Sequence, residues 1–200
     1  MRIAIIGAGN VGGALGRVFA EHGHTVAFGV RDPSSAKTAA ALAAAPGTSA
    51  TSPAGAVEGA EVIILALRWD AVAETVAELP SLKGRIVIDT MNRFTGDPAR
   101  STTQDLADLL PGAKLAKAFD TIGFENLTTA HGRRTKAAMF VAGDDPDAKR
   151  VAMDLATEIG FDAEDAGPLA NAKALEEMVR VWLAMTQVHG RGIGWAISRD

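Results

Sequence analysis

Three glycines near the start of the chain, spaced as Gly7-Ala8-Gly9-Asn10-Val11-Gly12, can bind a ligand with backbone alone. Gly7 lets the chain reverse, Gly9 leaves room for a pyrophosphate to approach the main chain, and Gly12 allows a following helix to pack closely. An anion held there sits on a helix N-terminus, where the unpaired N–H groups of residues such as Asn10 and Val11 and the helix dipole favour negative charge. The spacing implies a dinucleotide.

Which dinucleotide depends on the end of the second strand, about 20 residues on, where an NAD site carries an acid for the ribose 2′-hydroxyl. The stretch here reads Phe28-Gly29-Val30-Arg31-Asp32-Pro33-Ser34-Ser35. Its first charged group is Arg31, whose guanidinium suits a 2′-phosphate and favours NADP(H); Ser34, Ser35 and Lys37 are further donors. The rival reading gives the ribose hydroxyls to Asp32 and leaves Arg31 as a solvated charge paired with it.

These residues need a scaffold that brings them to one edge. Arg2–Ile6 reads as a buried strand, Val11, Leu15, Val18 and Phe19 mark a helix face, and His24–Gly29 reads as the next strand. Helices are expected at Ser35–Ala45, Asp70–Glu78, Thr103–Leu110 and Asp147–Ile159, and strands at Glu61–Ala66, Arg85–Ile88, Lys114–Ala118, Ala137–Ala142 and Phe161–Glu164. Thr95–Arg100, with Gly96 and Pro98, reads as a loop. This alternation predicts a Rossmann-type α/β fold, a doubly wound and mainly parallel sheet with a small C-terminal helical extension. Ligands in such sheets lie outside the carboxyl ends of the strands. Leu67-Arg68-Trp69, Asp89-Thr90-Met91-Asn92 and Asp120-Thr121-Ile122 are therefore expected to face one cleft.

A chain of 200 residues with net charge −4 suits one nucleotide-binding domain over 1–165 with a helix and tail over 166–200. The charge gives no attraction to nucleic acid or anionic lipid, and no run approaches the ~18 apolar residues of a membrane span, so a cytoplasmic protein is expected. There is no cysteine, which excludes thiolate nucleophiles, disulfides and Cys-bound metal. No metal-ligand spacing is present and no metal site is expected. There is no tyrosine either, which excludes the Tyr–Lys pair of the usual short-chain dehydrogenase.

The turn, the Arg31-Asp32-Pro33 corner and three later stretches, Lys117-Ala118-Phe119-Asp120-Thr121-Ile122, Phe140-Val141-Ala142-Gly143-Asp144-Asp145 and Asp165-Ala166-Gly167-Pro168-Leu169, carry a resemblance. The chain resembles the deazaflavin-dependent NADP oxidoreductases, which couple NADP to coenzyme F420, and their bacterial relatives, and is similar to the reductase domain of the transmembrane metalloreductases. The resemblance implies that the glycine turn holds the pyrophosphate, that Arg31 holds the adenosine phosphate, and that Thr121 and Ile122 border the nicotinamide and the deazaflavin ring. Three residues depart from the pattern: Val30 where relatives often carry Ser, Asp120 where many carry Asn, and Arg68 where many carry Pro before Trp69.

The function implied is hydride transfer between NADP(H) and a flat redox cofactor, a deazaflavin or a flavin. Such transfer needs little beyond holding two rings together, which agrees with the shortage of catalytic side chains. One alternative is a small imine or carbonyl reductase whose proton donor is Asp120, if burial raises its pKa, or a group of a partner subunit. Another is a non-catalytic NADP(H)-sensing module. Arg133, Arg134 and Lys136 read as a solvated loop or as a contact for an anionic tail. A homodimer is expected, built on the wide apolar face of the helix Leu169–His189 and on the tail from Gly190 to Asp200, with Trp195 and Ile197 against the partner. In the monomeric alternative that helix caps the sheet and Trp182 is core.

Overall fold

The computed structural model describes residues 1–95 and 99–199, so Gly96 to Pro98 of the expected loop lie outside the described residues. Fifteen elements follow in chain order: β1 (Arg2–Ile6), α1 (Asn10–Glu21), β2 (Thr25–Gly29), α2 (Ala36–Ala44), β3 (Ser49–Thr51), α3 (Pro53–Val57), β4 (Val62–Leu65), α4 (Val72–Ala77), β5 (Ile86–Asp89), α5 (Thr102–Leu109), β6 (Lys114–Lys117), β7 (Ala138–Gly143), α6 (Pro146–Glu158), β8 (Asp162–Asp165) and α7 (Ala172–His189). The strands form one sheet in the order β3-β2-β1-β4-β5-β6-β7-β8.

All neighbouring strands run parallel except β6 and β7. A parallel neighbour needs a crossover, usually a helix, and the chain between β6 and β7 holds only two short 3₁₀ turns, Phe124–Asn126 and Ala130–Gly132. Strand pleating divides the apolar residues between two layers. Ile3, Ile5, Val62 and Ile64 join α1, α6 and α7 through Leu15, Phe19, Leu155, Val179 and Trp182. Ala4, Ile6, Ile63 and Leu65 join α3, α4 and α5 through Val57, Val76 and Leu106. Both faces of β1 and β4 are covered, which is why these strands read as unbroken apolar runs.

Two elements escape the sequence reading. β3 has three residues at a sheet edge and is defined by pairing with Ala27–Gly29 of β2. α3 has five residues, is capped by Ser52, whose hydroxyl accepts from the Gly55 N–H, and begins at Pro53. Neither is long enough to show a period.

The last helix caps the sheet. Trp182 is 2% exposed and Leu175 and Val179 are buried, while Val181, Met185 and Val188 face outward. The tail after α7 lies on its own chain rather than reaching away as expected. The Trp195 indole N–H donates to the Thr121 carbonyl at 3.0 Å, and the Trp195 carbonyl accepts from the Ala138 N–H at 2.8 Å. Asn126 and Arg133 donate to the carbonyls of Arg191 and Gly192, and Trp182 donates to that of Ile193. Arg133 is thereby a brace for the tail; Arg134 and Lys136 are exposed.

Gly16 is where α1 meets β2, because a Cβ there would run into the Phe28 ring. Gly16→Ala is therefore expected to destabilise the fold by about 1–3 kcal/mol despite the better helix propensity of alanine, read as a lower urea midpoint at unchanged m. An unchanged midpoint would show that the ring has room to move.

Candidate active site

The glycine turn has the geometry that its spacing demands. Gly7 has φ +104°, and a Cβ there would stand 2.5 Å from the Ala66 carbonyl oxygen. A Cβ on Gly12 would collide with the Gly7 carbonyl, so this glycine closes the turn on itself as well as easing the helix against the sheet. Gly9 differs. Its φ of −79° suits any residue, and a Cβ there would meet nothing within 4 Å. Space outside the protein is what Gly9 keeps clear. As N-cap of α1 it offers no side chain, and the first turn carries no acid, so the leading N–H groups and the positive end of the dipole are left for a ligand.

Three cavities meet at this turn, one of them, about 340 Å³, on the side of α1 and α2 between Gly9, Gly13, Lys37 and Phe124; the other two follow the strand ends. The first, about 340 Å³, is walled by Gly7–Gly9, by Val30, Arg31, Asp32, Ser35, Lys37 and Thr38 beyond β2, and by Leu67 and Arg68 beyond β4. The second, about 590 Å³, runs from Gly9, Asn10 and Val11 past Leu67, Arg68 and Trp69 to Thr90, Met91, Asn92, Arg93 and Phe94 beyond β5. They share Gly9, Ala66, Leu67 and Arg68. Together they make one trough across the carboxyl ends of β2, β1, β4 and β5.

At the first end, Arg31 is exposed and is not paired with Asp32. The Asp32 carboxylate accepts from both the N–H and the hydroxyl of Ser34, at 2.9 and 2.6 Å, bonds that hold its pKa below the usual carboxylate value. The Ser34 hydroxyl thus turns to Asp32, and Ser35 and Thr38 line the cavity instead. Ser35 caps α2, accepting from the Thr38 N–H. Arg68 borders both cavities with its side chain 85% exposed and pairs with Asp70. In the second cavity the Arg93 guanidinium lies 5.1 Å from the Trp69 ring centroid.

Asp120, Thr121 and Ile122 depart from expectation. They are 1%, 0% and 5% exposed and lie behind the trough, outside the walls of these two cavities. Two features put them there. Phe119 has φ +61°, in the left-handed region a bulky side chain rarely enters, and the tail bonds the Thr121 carbonyl through Trp195. Asn92 links this segment to the second cavity: its side chain lines the wall, and its Nδ2 donates to the Asp120 carbonyl at 2.8 Å.

Under these residues lies a charged cluster that the sequence reading did not find. Lys117, at the end of β6, has no exposed side-chain surface. Its Nζ lies 3.2 Å from Asp89 Oδ2, 3.2 Å from Glu176 Oε1 and 3.8 Å from Asp120 Oδ2, and donates to Thr102 Oγ1 and the Met91 carbonyl. Thr102 and Thr103 of α5 both donate hydroxyls to Asp89. Asp89, expected at the cleft, therefore belongs to this cluster. Burial alone would lower the lysine's pKa, and the acids Asp89, Asp120 and Glu176 outweigh it and raise it. For Asp120, burial dominates: opposed by Lys117 and reinforced by Asp89 and Glu176, it pushes the carboxyl up to about 7. A signal was available, since Glu176 stands in the apolar stripe Ala172, Leu175, Val179, Trp182 and Lys117 interrupts an apolar strand.

Removing the cation leaves the acids buried without a counter-charge. Lys117→Met is expected to cost about 3–5 kcal/mol in denaturant titration, a loss larger than one from packing at this nearly isosteric position. A loss under about 1 kcal/mol would mean that the acids are neutral or hydrated in the folded protein.

Residues 2–93 match the family model described as NADP oxidoreductase coenzyme F420-dependent. The F420-dependent NADP reductase of Methanocaldococcus jannaschii is 26% identical over 157 residues, covering 72% of this chain and 70% of the relative. Metalloreductase STEAP3 of Rattus norvegicus is 27% identical over 178 residues, 88% of this chain; the chain spans 36% of that protein's length. A solved structure from Arthrobacter sp. FB24, described as a candidate F420-dependent NADP reductase, has the same fold at TM-score 0.89 with all of both chains covered and 24% identity. No helix among the described residues is long and apolar enough to cross a membrane.

Proposed function

For a chain whose residues 2–93 match the coenzyme F420-dependent NADP oxidoreductase model, we propose NADP(H)-dependent oxidoreductase activity, with a flat deazaflavin or flavin as the second redox partner. The observation that carries this reading is Gly9, kept bare at the junction of the trough's two cavities with a free guanidinium at one end. The chain's residues fit a dinucleotide laid along the trough: the turn and the open end of α1 take the pyrophosphate, and Arg31 with Lys37 takes the adenosine 2′-phosphate. The nicotinamide end then lies in the second cavity, between Asn10, Val11, Leu67, Thr90, Met91 and Asn92. When bound, NADP(H) supplies or accepts a hydride.

The protein's part is positional. Val11, Leu67 and Met91 give an apolar wall against which a planar ring is oriented and water is kept from one face. Trp69 and Phe94 extend that wall toward the larger, open part of the cavity, where a second planar ring has space. Arg93, paired with Asp105, and Arg68, paired with Asp70, border that side. A second reading, a small imine or carbonyl reductase, is favoured by one observation, the buried Asp120 carboxyl with a pKa of about 7, which can hold a proton near neutrality. The proposal includes a cytoplasmic homodimer in which the outward Val181, Met185 and Val188 of α7 meet a second copy.

NADPH oxidation against deazaflavin, flavins, ferric chelates and cyclic imines separates these readings, and binding without turnover of any acceptor would identify the sensing module. A charge-assisted contact to phosphate is worth about 1.5–3 kcal/mol, so Arg31→Ala is expected to weaken NADPH by about 10- to 150-fold and NADH hardly at all. Equal losses would return the adenosine end to Asp32. Gly9→Val is expected to fold normally, because no protein atom opposes the new side chain, and to abolish NADPH binding in a fluorescence titration. Normal binding by the folded variant would remove the pyrophosphate from this turn.

A further inference from the structure

Behind the second cavity, on Asn92 and on the Asp120-Thr121 segment it bonds at 2.8 Å, four polar atoms are buried without a hydrogen-bond partner: Asn92 Oδ1, both carboxyl oxygens of Asp120, and Thr121 Oγ1. Buried polar atoms are normally satisfied, so a group of them beside a cavity marks a place where charge or hydrogen bonding is completed by something else. The carboxyl is held there at a cost, since Phe119 takes up the left-handed conformation immediately before it. Lys117 offers it charge at 3.8 Å but no hydrogen bond, because that ammonium gives its hydrogen bonds to Asp89, Thr102, Glu176 and the Met91 carbonyl.

We propose that Asp120 is the residue by which this protein distinguishes oxidised from reduced nicotinamide, its carboxylate pairing with the positive ring of NADP⁺ and its neutral acid accompanying the uncharged ring of NADPH. The inference rests on the nicotinamide end lying in the second cavity, as argued under the proposed function. The groups that face Asp120 are Lys117 from β6, Asp89 from β5 and Glu176 from α7. Burial, opposed by Lys117 and reinforced by the charges of Asp89 and Glu176, puts the Asp120 pKa at about 7, where a modest change in local charge moves the proton. An arriving cationic ring supplies that change. NADP⁺ binding to the protonated protein then releases one proton from the Asp120 carboxyl to solvent, and NADPH binding releases none.

The test uses the whole chain and needs no acceptor. Dissociation constants of NADP⁺ and NADPH are measured from pH 6 to pH 8. The 2′-phosphate and Arg31 are common to both ligands and cancel in the ratio. An opposite charge a few ångströms away shifts a carboxyl by ~1 unit or more, so the preference for NADP⁺ over NADPH is expected to rise about 5- to 10-fold over this range. The isosteric Asp120→Asn should give a flat ratio. In weakly buffered wild-type protein at pH 6.5, where a carboxyl of pKa about 7 is mostly protonated, NADP⁺ should release about 0.5–0.75 proton more than NADPH, the 2′-phosphate contribution being common to both, a readout that stands even if the variant fails to fold. A flat ratio in the wild type, or a slope retained in Asp120→Asn, overturns the proposal while leaving NADP(H) binding intact. Failure of both nucleotides to bind overturns the functional reading as well.

Discussion

A lysine ammonium with no exposed surface must be neutralised where it stands, because moving one ion into the interior costs several kcal/mol unless opposite charge and hydrogen bonds replace water. Lys117 meets that constraint with groups from four separate parts of the fold. Asp89 comes from the end of β5, the Met91 carbonyl from the loop beyond it, Thr102 from the first turn of α5, and Glu176 from α7. Meeting the electrostatic requirement therefore fixes the sheet edge, the start of α5 and the C-terminal helix against one another. The β5 loop held in this way carries Thr90, Met91 and Asn92 into the second cavity. The cluster is thus upstream of the site although it lines neither cavity.

The opposite end of the site depends on a different constraint, the absence of side chains. Gly7 and Gly12 are required by the turn itself, one for its positive φ and the other for clearance of the Gly7 carbonyl. Gly9 is required by nothing inside the protein. The contrast separates two glycines that the fold needs from one that it does not, and under the proposed function that one leaves room for the pyrophosphate where the cavities meet.

The C-terminal segment joins both regions to the edge of the sheet. Trp182 fills the core under β7, and the returning tail places the Trp195 carbonyl on Ala138 and its indole on Thr121. Because the tail covers Thr121 from behind, the Asp120-Thr121-Ile122 segment reaches the cleft only through Asn92. The polar atoms left unsatisfied there are a consequence of this layering: they are shut away from solvent, and of the residues that carry them Asn92 lines the second cavity.

The sequence by itself determined what depends on neighbours in the chain. Unbroken apolar runs marked β1 and β4, because both faces of a central parallel strand are buried; the glycine spacing marked the turn; and alternation of strand and helix limited the fold to a doubly wound sheet. Arg31 was legible as a residue of the cleft because its place follows from its distance beyond the turn. Tertiary structure alone decided the rest. β3 exists because β2 offers it a pairing edge, and Asp32 is turned from Arg31 by a local bond to Ser34. The partners of Lys117 lie 28 residues away at Asp89 and 59 residues away at Glu176, so their pairing leaves no mark in local composition beyond two charges in apolar stripes. Ionisation of a buried carboxyl depends on every charge within a few ångströms, wherever each lies in the chain, which is why Asp120 could be named from the sequence but its environment could not.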